Sequence, residues 1–292
     1  MTKLQWESLP ADRVAAIEEL TGPVIKAENI TGGLMPGLTA TLHAETGRFF
    51  LKAVPADNPA AALYQREIGA NAFLPDSVPA PRMRFASDEG DWLVMVFDYL
   101  DARDTDLSPG APDLDGVLTA VAAISSAPAW HDALPLAVNV AALQGKADAL
   151  LGKQPGGQPW AMYRAAIDGF DSGVLVGDRL VHYDLHPGNL KVTTDAGVMA
   201  VDWAFACAGA PWADAALLMP RLIEAGHSPT TAESLMSRLP AWPTAPAPAV
   251  TALAALWTMF REYKAIHGPV DARAFRHQAA SAGRAWVEYR MR

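Results

Sequence analysis

Apolar and polar positions along the chain change rhythm near residue 110. In "SLPADRVAAIEEL" (8–20) apolar residues recur at helical spacing, with Ser8 as a candidate cap and Pro10 near the first turn. "ITGGLMPGLTATLHAETGRFFLKAV" follows, where β-branched and apolar runs flank "ETGR" (45–48) and predict a hairpin, preceded by a glycine-rich turn over 32–37. "PAAALYQREIGANAFL" (59–74) is helical in composition. "PAPRMRF" and "DWLVMVFDYL" then read as an extended segment and a buried strand. From about Asp113 the pattern turns helical, over 113–126, 137–152, 159–171, 213–225, 247–267 and 271–290. One island interrupts it, "LVHYDLHPGNLKVTTDAGVMAVDW", where two short apolar runs flank the turn sequence "TDAG" (194–197). "PAWPTAPAPA" (240–249) reads as a stiff connection. The expectation is an α+β chain with two lobes: a small β-rich lobe over 1–97 and a larger, mainly helical one over 98–292.

The bulk numbers narrow the function classes. An apolar fraction of 51% supplies a core, and no window is apolar for long enough to span a membrane. The charged start lacks the apolar stretch of a signal peptide, and Cys207 is the only cysteine, so no internal disulfide forms. A cytoplasmic protein without a membrane partner is expected. A net charge of −9 argues against nucleic acid as a partner. The charge is uneven: residues 203–292 hold 9 Lys+Arg against 6 Asp+Glu, while the rest of the chain is strongly acidic. Oligomeric state leaves no mark in the sequence.

The island carries the densest chemistry. Pairing Thr193 with Val198 across the turn sets Asn189 opposite Asp202. Residues facing each other across a strand pair have Cβ atoms roughly 4.5–5.5 Å apart. An amide oxygen beside a carboxylate suits a hard cation such as Mg²⁺. Asp184 lies five residues before Asn189, in a loop where Pro187 and Gly188 turn the chain.

"HYDLHPGN", with Asp202 of "VDW" thirteen residues on, resembles the aminoglycoside phosphotransferase and choline kinase-like group of the protein-kinase superfamily. There the stretch is typically H-G-D-x-H-x-x-N followed by a strand ending in Asp; Tyr183 stands here where glycine is common. The resemblance implies a bilobal protein-kinase-like fold and an ATP- and Mg²⁺-dependent transfer of a phosphoryl group to a hydroxyl. It implies Asp184 as catalytic base and Asn189 and Asp202 as metal ligands. His182 then braces the loop, His186 either braces it or takes part in the chemistry, the first being favoured, and Asp214 in "GAPWADAALLM" caps its helix and braces the same loop.

Phosphoryl transfer also needs a lysine on the nucleotide phosphates and a carboxylate to orient it. Lys52 shares a strand face with Phe50 and Val54, and a charge in that company needs a partner. Glu67, in the following helix, is the candidate. "TGGLMPGL", with Gly32 and Gly33, is either the turn over the phosphates or a plain hairpin connection. Backbone groups around Phe97, Asp98 and Tyr99 are expected at the adenine.

The acceptor is less defined. "DYLDARDTDLSPGAPDLD" carries six aspartates against Arg103 alone; such a run either draws a cationic acceptor or is a solvated loop and helix start. Tryptophans 130, 160, 212, 242, 257 and 286 are either core or a platform for a sugar or a quaternary ammonium. An aminoglycoside or related amino-sugar leads by resemblance, followed by another small alcohol and then a protein serine. Two other classes compete: a silent nucleotide-binding module, and a zinc hydrolase built on His182, Asp184 and His186.

Overall fold

The structure is a computed structural model of the 292-residue chain that describes residues 3–32, 36–153, 157–195 and 197–292. Gly33 and Ala196, one in each glycine-bearing turn, therefore lie outside the described residues. The chain divides into two compact units. One is Met1–Arg103 with Thr193–Asp195 and Met199–Phe205; the other is Asp104–Val192, Ala196–Val198 and Ala206–Arg292.

The first unit holds α1 (Ala11–Thr21), β1 (Val24–Asn29), β2 (Leu38–Ala44), β3 (Gly47–Pro55), α2 (Ala61–Phe73), β4 (Met83–Ser87) and β5 (Trp92–Asp98). Its five strands form one antiparallel sheet in the order β1-β2-β3-β5-β4. The expected hairpin at "ETGR" joins β2 to β3, with Ala44 opposite Gly47. Strand alternation sorts β5 onto two buried faces. Val94 and Val96 pack with Leu38, Leu51 and Ile17 of α1. Leu93, Met95 and Phe97 pack with Val54 and with Tyr64 of α2. A strand covered on both sides reads as an unbroken apolar run, which is why "WLVMVF" lacks alternation. Ser8 does not cap α1: Pro10 precedes the helix, and Ser8 closes a single 3₁₀ turn with Gln5.

The second unit is mainly helical: α3 (Leu114–Ser126), α4 (Leu136–Leu151), α5 (Trp160–Ile167), α6 (Ala213–Glu224), α7 (Pro229–Met236), α8 (Ala247–His267) and α9 (Arg273–Arg290). α8 is buried on nearly every side from Ala249 to Met259 and packs against α4, α5, α6 and α9. Its run of alanines lets four helices approach it. Short strands complete the fold: β6 (Ala102–Asp104), β7 (Arg179–Val181), β8 (Leu190–Thr193), β9 (Val198–Ala200) and β10 (Cys207–Gly209). β7 pairs antiparallel with β10, and β6, β8 and β9 form a ribbon in the order β6-β8-β9. α5 ends at Ile167, short of the expected 171, and a 3₁₀ turn follows at Ser172–Leu175. No helix among the described residues is long and apolar enough to cross a membrane.

Candidate active site

In the first unit the site is built around Lys52. It lies in β3 opposite Met95, on the sheet face that carries α2. Strand alternation therefore aims its side chain at the helix. Its Nζ lies 2.7 and 2.9 Å from the two carboxylate oxygens of Glu67 and 3.3 Å from Oδ1 of Asp202. Burial opposes the charge on Lys52, but the attraction of Glu67 and then Asp202 outweighs it and raises its pKa above the ordinary lysine value. Burial raises the Glu67 pKa; Lys52 opposes the rise and the nearby Asp202 charge adds to it. Glu67 is 5% exposed and Asp202 39%, so one carboxylate is sealed in while the other opens to solvent. Trp203 fixes the segment: its backbone N–H donates to Glu67, and its indole N–H donates to the Ala200 carbonyl at 3.1 Å. Asp202 itself sits at φ +67, a strained conformation for a non-glycine residue.

The glycine-rich turn is anchored by residues that the sequence did not mark. The hydroxyl of Tyr64 donates to the Pro36 carbonyl at 3.0 Å. Burial, with the charges of Glu67 and Asp202, pushes its pKa up to about 12 against the pull of Lys52. Gly37 holds φ +111, and a Cβ there would lie 2.6 Å from the Ala53 carbonyl oxygen and 2.7 Å from the Tyr64 hydroxyl. Only glycine fits. Gly37→Ala is expected to lower stability by at least ~2 kcal/mol, from backbone strain plus the clash. The urea midpoint measures this; an unchanged midpoint would refute the close approach. Gly32 is exposed, and its carbonyl accepts from Lys3.

At the end of β5, Phe97 is core, paired with Phe50 and Met83. Asp98 donates its N–H to the Arg82 carbonyl at 2.9 Å and accepts from Arg84 at 2.7 Å. Tyr99 stacks on Arg48, with the guanidinium carbon 4.2 Å from the ring centre.

In the second unit the loop 182–189 is held by its own polar groups together with Asp214 and Asn139. Asp214, buried at the start of α6, accepts the N–H of His182 at 2.8 Å and of Tyr183 at 2.7 Å. It does not cap α6, since Trp212 occupies that position. Burial raises the Asp214 pKa, against the stabilising effect of His182 and the two N–H donors. Those bonds hold Tyr183 at φ +75, which explains the preference for glycine there; the Tyr183 hydroxyl adds a bond to the Asn139 carbonyl at 3.1 Å. Asp214→Asn keeps one acceptor oxygen but turns an NH₂ donor toward the other N–H, and is expected to cost about 2–3 kcal/mol, read from thermal unfolding.

His182 is fully buried, and its Nδ1 faces the Asp184 N–H at 3.4 Å. His186 Nδ1 accepts from Gly188 at 3.1 Å and caps the 3₁₀ turn Pro187–Asn189. Burial lowers its pKa, against the pull of Asp184. Among the described residues no three of His, Cys, Asp or Glu gather as a zinc site would require. Asn189 donates its amide to the Asp184 carbonyl at 3.0 Å, leaving its amide oxygen as the remaining polar atom. The Asp184 carboxylate is half-buried and, among the described residues, forms neither a hydrogen bond nor an ion pair. An amide oxygen such as that of Asn189 and a carboxylate such as that of Asp202 are each the kind of hard donor that Mg²⁺ takes.

Each of the six aspartates from Asp98 to Asp115 is engaged by its own chain. Asp98 pairs with Arg84, Asp101 with Arg48, Asp104 with Lys191 and Asp115 with Arg238. Asp113 accepts the Asp106 N–H, and Asp106 accepts that of Ser108. Trp212, Trp257 and Trp286 are core.

The chain resembles several solved structures over nearly its whole length. Choline kinase LicA from Streptococcus pneumoniae superposes with a TM-score of 0.64 at 18% identity, covering 94% of this chain and 99% of that one. An aminoglycoside phosphotransferase from Alicyclobacillus acidocaldarius gives 0.62 at 14%, covering 97% and 96%. A thermostable mutant of aminoglycoside phosphotransferase APH(4)-Ia, in a ternary complex with ADP and hygromycin B, gives 0.59 at 14%, covering 93% and 98%. No protein of curated function matches by sequence. Residues 38–247, well over half the chain, match the model of the phosphotransferase enzyme family; the chain belongs to that family and has its protein-kinase-like fold.

Proposed function

We propose that this protein transfers the γ-phosphoryl group of ATP to a hydroxyl of a small molecule. The observation that carries the reading is the Lys52 triangle, a buried cation kept charged by Glu67 with Asp202 partly open beside it. A hydrolase has no use for that arrangement, whereas phosphoryl transfer needs a fixed positive charge on the phosphates. Lys52 meets the phosphates and Glu67 orients it. The turn bearing Gly32 and Gly33 lies over the phosphates, and backbone groups around Phe97, Asp98 and Tyr99 receive the adenine. With the Asp98 N–H already committed to Arg82, Tyr99 is the more open of these donors.

Asn189 and Asp202 hold Mg²⁺, which when bound neutralises charge on the transferring group. Asp184 accepts the proton of the attacking hydroxyl; its carboxylate enters that role without leaving a protein partner. On the relatives alone, an aminoglycoside or amino-sugar acceptor is the finer form of this reading. It is supported by the relatives, one of which holds hygromycin B. The aspartates that would have drawn a polycation are engaged elsewhere.

The test is transfer of label from γ-³²P-ATP with Mg²⁺ to a panel of amino-sugars, choline, sugars, hydroxy acids and a generic protein. Labelling of a small molecule is expected. Binding of ATP without any transfer would favour a silent nucleotide-binding module, and absence of ATP binding would refute both.

A further inference from the structure

The positive surplus of the last ninety residues is concentrated in one place. Trp257, buried in α8, carries two guanidiniums: Arg261, one turn on, lies 4.8 Å from its ring centre, and Arg221 of α6 lies 5.2 Å away. Arg221 is paired with Glu224 at 2.9 Å. Arg261 has no such partner. Among the described residues no carboxylate lies within ion-pair distance of it, and its buried Nε makes no hydrogen bond. Its surroundings add positive charge: Lys264 stacks on Phe260, Lys146 on Tyr263, and Arg276 donates to the Lys264 carbonyl. Burial and then Arg221 push the Arg261 pKa down to about 10, against the pull of Asp184 and Glu224.

The cluster lies beside the loop that carries Asp184. Asp214, which holds that loop, and Arg221 are seven residues apart in α6, hence on one side of the helix and ~10 Å apart along it. His186 lies in the electrostatic field of both arginines, and Asp184 acts on Arg261. A half-buried guanidinium with no carboxylate in ion-pair contact is costly and is kept where a ligand supplies that contact. Its forked donors match the two oxygens of a carboxylate or phosphate. A polycation or a quaternary ammonium would meet like charge here, with the Trp257 ring already covered by arginines.

We propose that the phosphoryl acceptor bears an anionic group, a carboxylate or a phosphate, beside its reacting hydroxyl, and that Arg261 binds that group. The proposal rests on the phosphotransferase reading for the identity of the reaction, and it adds the acceptor class and a specificity-determining residue.

The experiment uses the full chain, free and loaded with Mg²⁺ and AMP-PNP. Calorimetric binding of gluconate, D-glycerate and glycerol 3-phosphate is compared with glucose, glycerol, choline and kanamycin. Transfer from γ-³²P-ATP to each compound is measured in parallel. At least one anionic compound is expected to bind about tenfold or more tighter than its neutral counterpart. Arg261→Met should lose that preference by roughly ten- to a hundredfold, and Arg261→Lys should recover part of it. The melting temperature of Arg261→Met should equal or exceed that of the parent, because a half-buried charge without an ion-pair partner is removed; this separates loss of binding from loss of folding. Gluconate against glycerol 3-phosphate decides between carboxylate and phosphate. Failure of every anion to bind, tighter binding of neutral or cationic compounds, or unchanged anion binding by Arg261→Met would overturn the assignment. Transfer to neutral or cationic compounds alone would sink it while leaving the phosphotransferase reading intact. Arg261-dependent anion binding without any nucleotide binding would do the reverse.

Discussion

Asp184→Asn is expected to reduce turnover by roughly 10²–10⁴-fold while leaving ATP affinity within a few fold. The substitution keeps shape and size and removes the proton acceptor. It should cost little stability, because the bonds that place Asp184 run through its backbone. Its N–H faces His182 Nδ1 and its carbonyl accepts from Asn189, whereas the carboxylate bonds to nothing among the described residues. Turnover and melting temperature should therefore separate: the first falls steeply and the second holds. Asp214→Asn supplies the contrast, because it replaces the acceptor of one of the two loop N–H groups by a donor and should lower both. Undiminished turnover in Asp184→Asn would remove this residue as the base.

The parts of this fold that the sequence reveals are those set by near neighbours. The β2–β3 hairpin follows from "ETGR" and its flanks, α2 from its composition, and α3 and α8 from the helical pattern. Lys52 and Glu67 lie on adjacent elements fifteen residues apart, so a strand face and the next helix bring them together. α7 carries little helical pattern because its threonines are poor helix formers, although Ser228 followed by Pro229 is a start signal and Ser228 caps the Thr231 N–H at 3.1 Å. β7 and β10, three residues each, are too short to show a period.

Other features depend on distant packing. Gly37 looked like one glycine of three, and its constraint comes from Tyr64 and Ala53 closing on it. Tyr183 departs from a local pattern, and the cost of the departure appears only with its φ and with Asp214, thirty-one residues on. Arg221 and Arg261 sit on separate helices forty residues apart, in a region without motifs. A regional charge surplus was their only trace.

Lys52→Met is expected to lower transfer by about 10²–10³-fold, the scale seen when a fixed charge-stabilising group is lost. The side chain keeps its length, so the loss belongs to the charge, and nucleotide affinity should fall with it. The variant also leaves Glu67 sealed in with no cation and Asp202 nearby. Removing one partner of a buried pair costs about 3–5 kcal/mol. In the parent, the raised pKa of Lys52 means that the folded state holds this proton more tightly. That stabilisation is fully present below the unfolded lysine value of about 10.4 and is lost as pH rises through the folded value. In the variant Glu67 governs the pH dependence. Its pKa is already raised by burial, and loss of Lys52 removes the main influence opposing that rise. A folded state that favours the protonated carboxyl loses stability as pH climbs above the unfolded glutamate value of about 4.3. Denaturant melts should therefore show a small gap between parent and variant near pH 4–5 that widens toward neutrality. Lys52→Met with Glu67→Leu should recover much of the stability and none of the transfer, which separates the electrostatic cost of the pair from its use. A single variant with parental kcat/KM, or a stability gap that does not move with pH, would show that Lys52 is neither the phosphate ligand nor the counter-charge on which Glu67 depends.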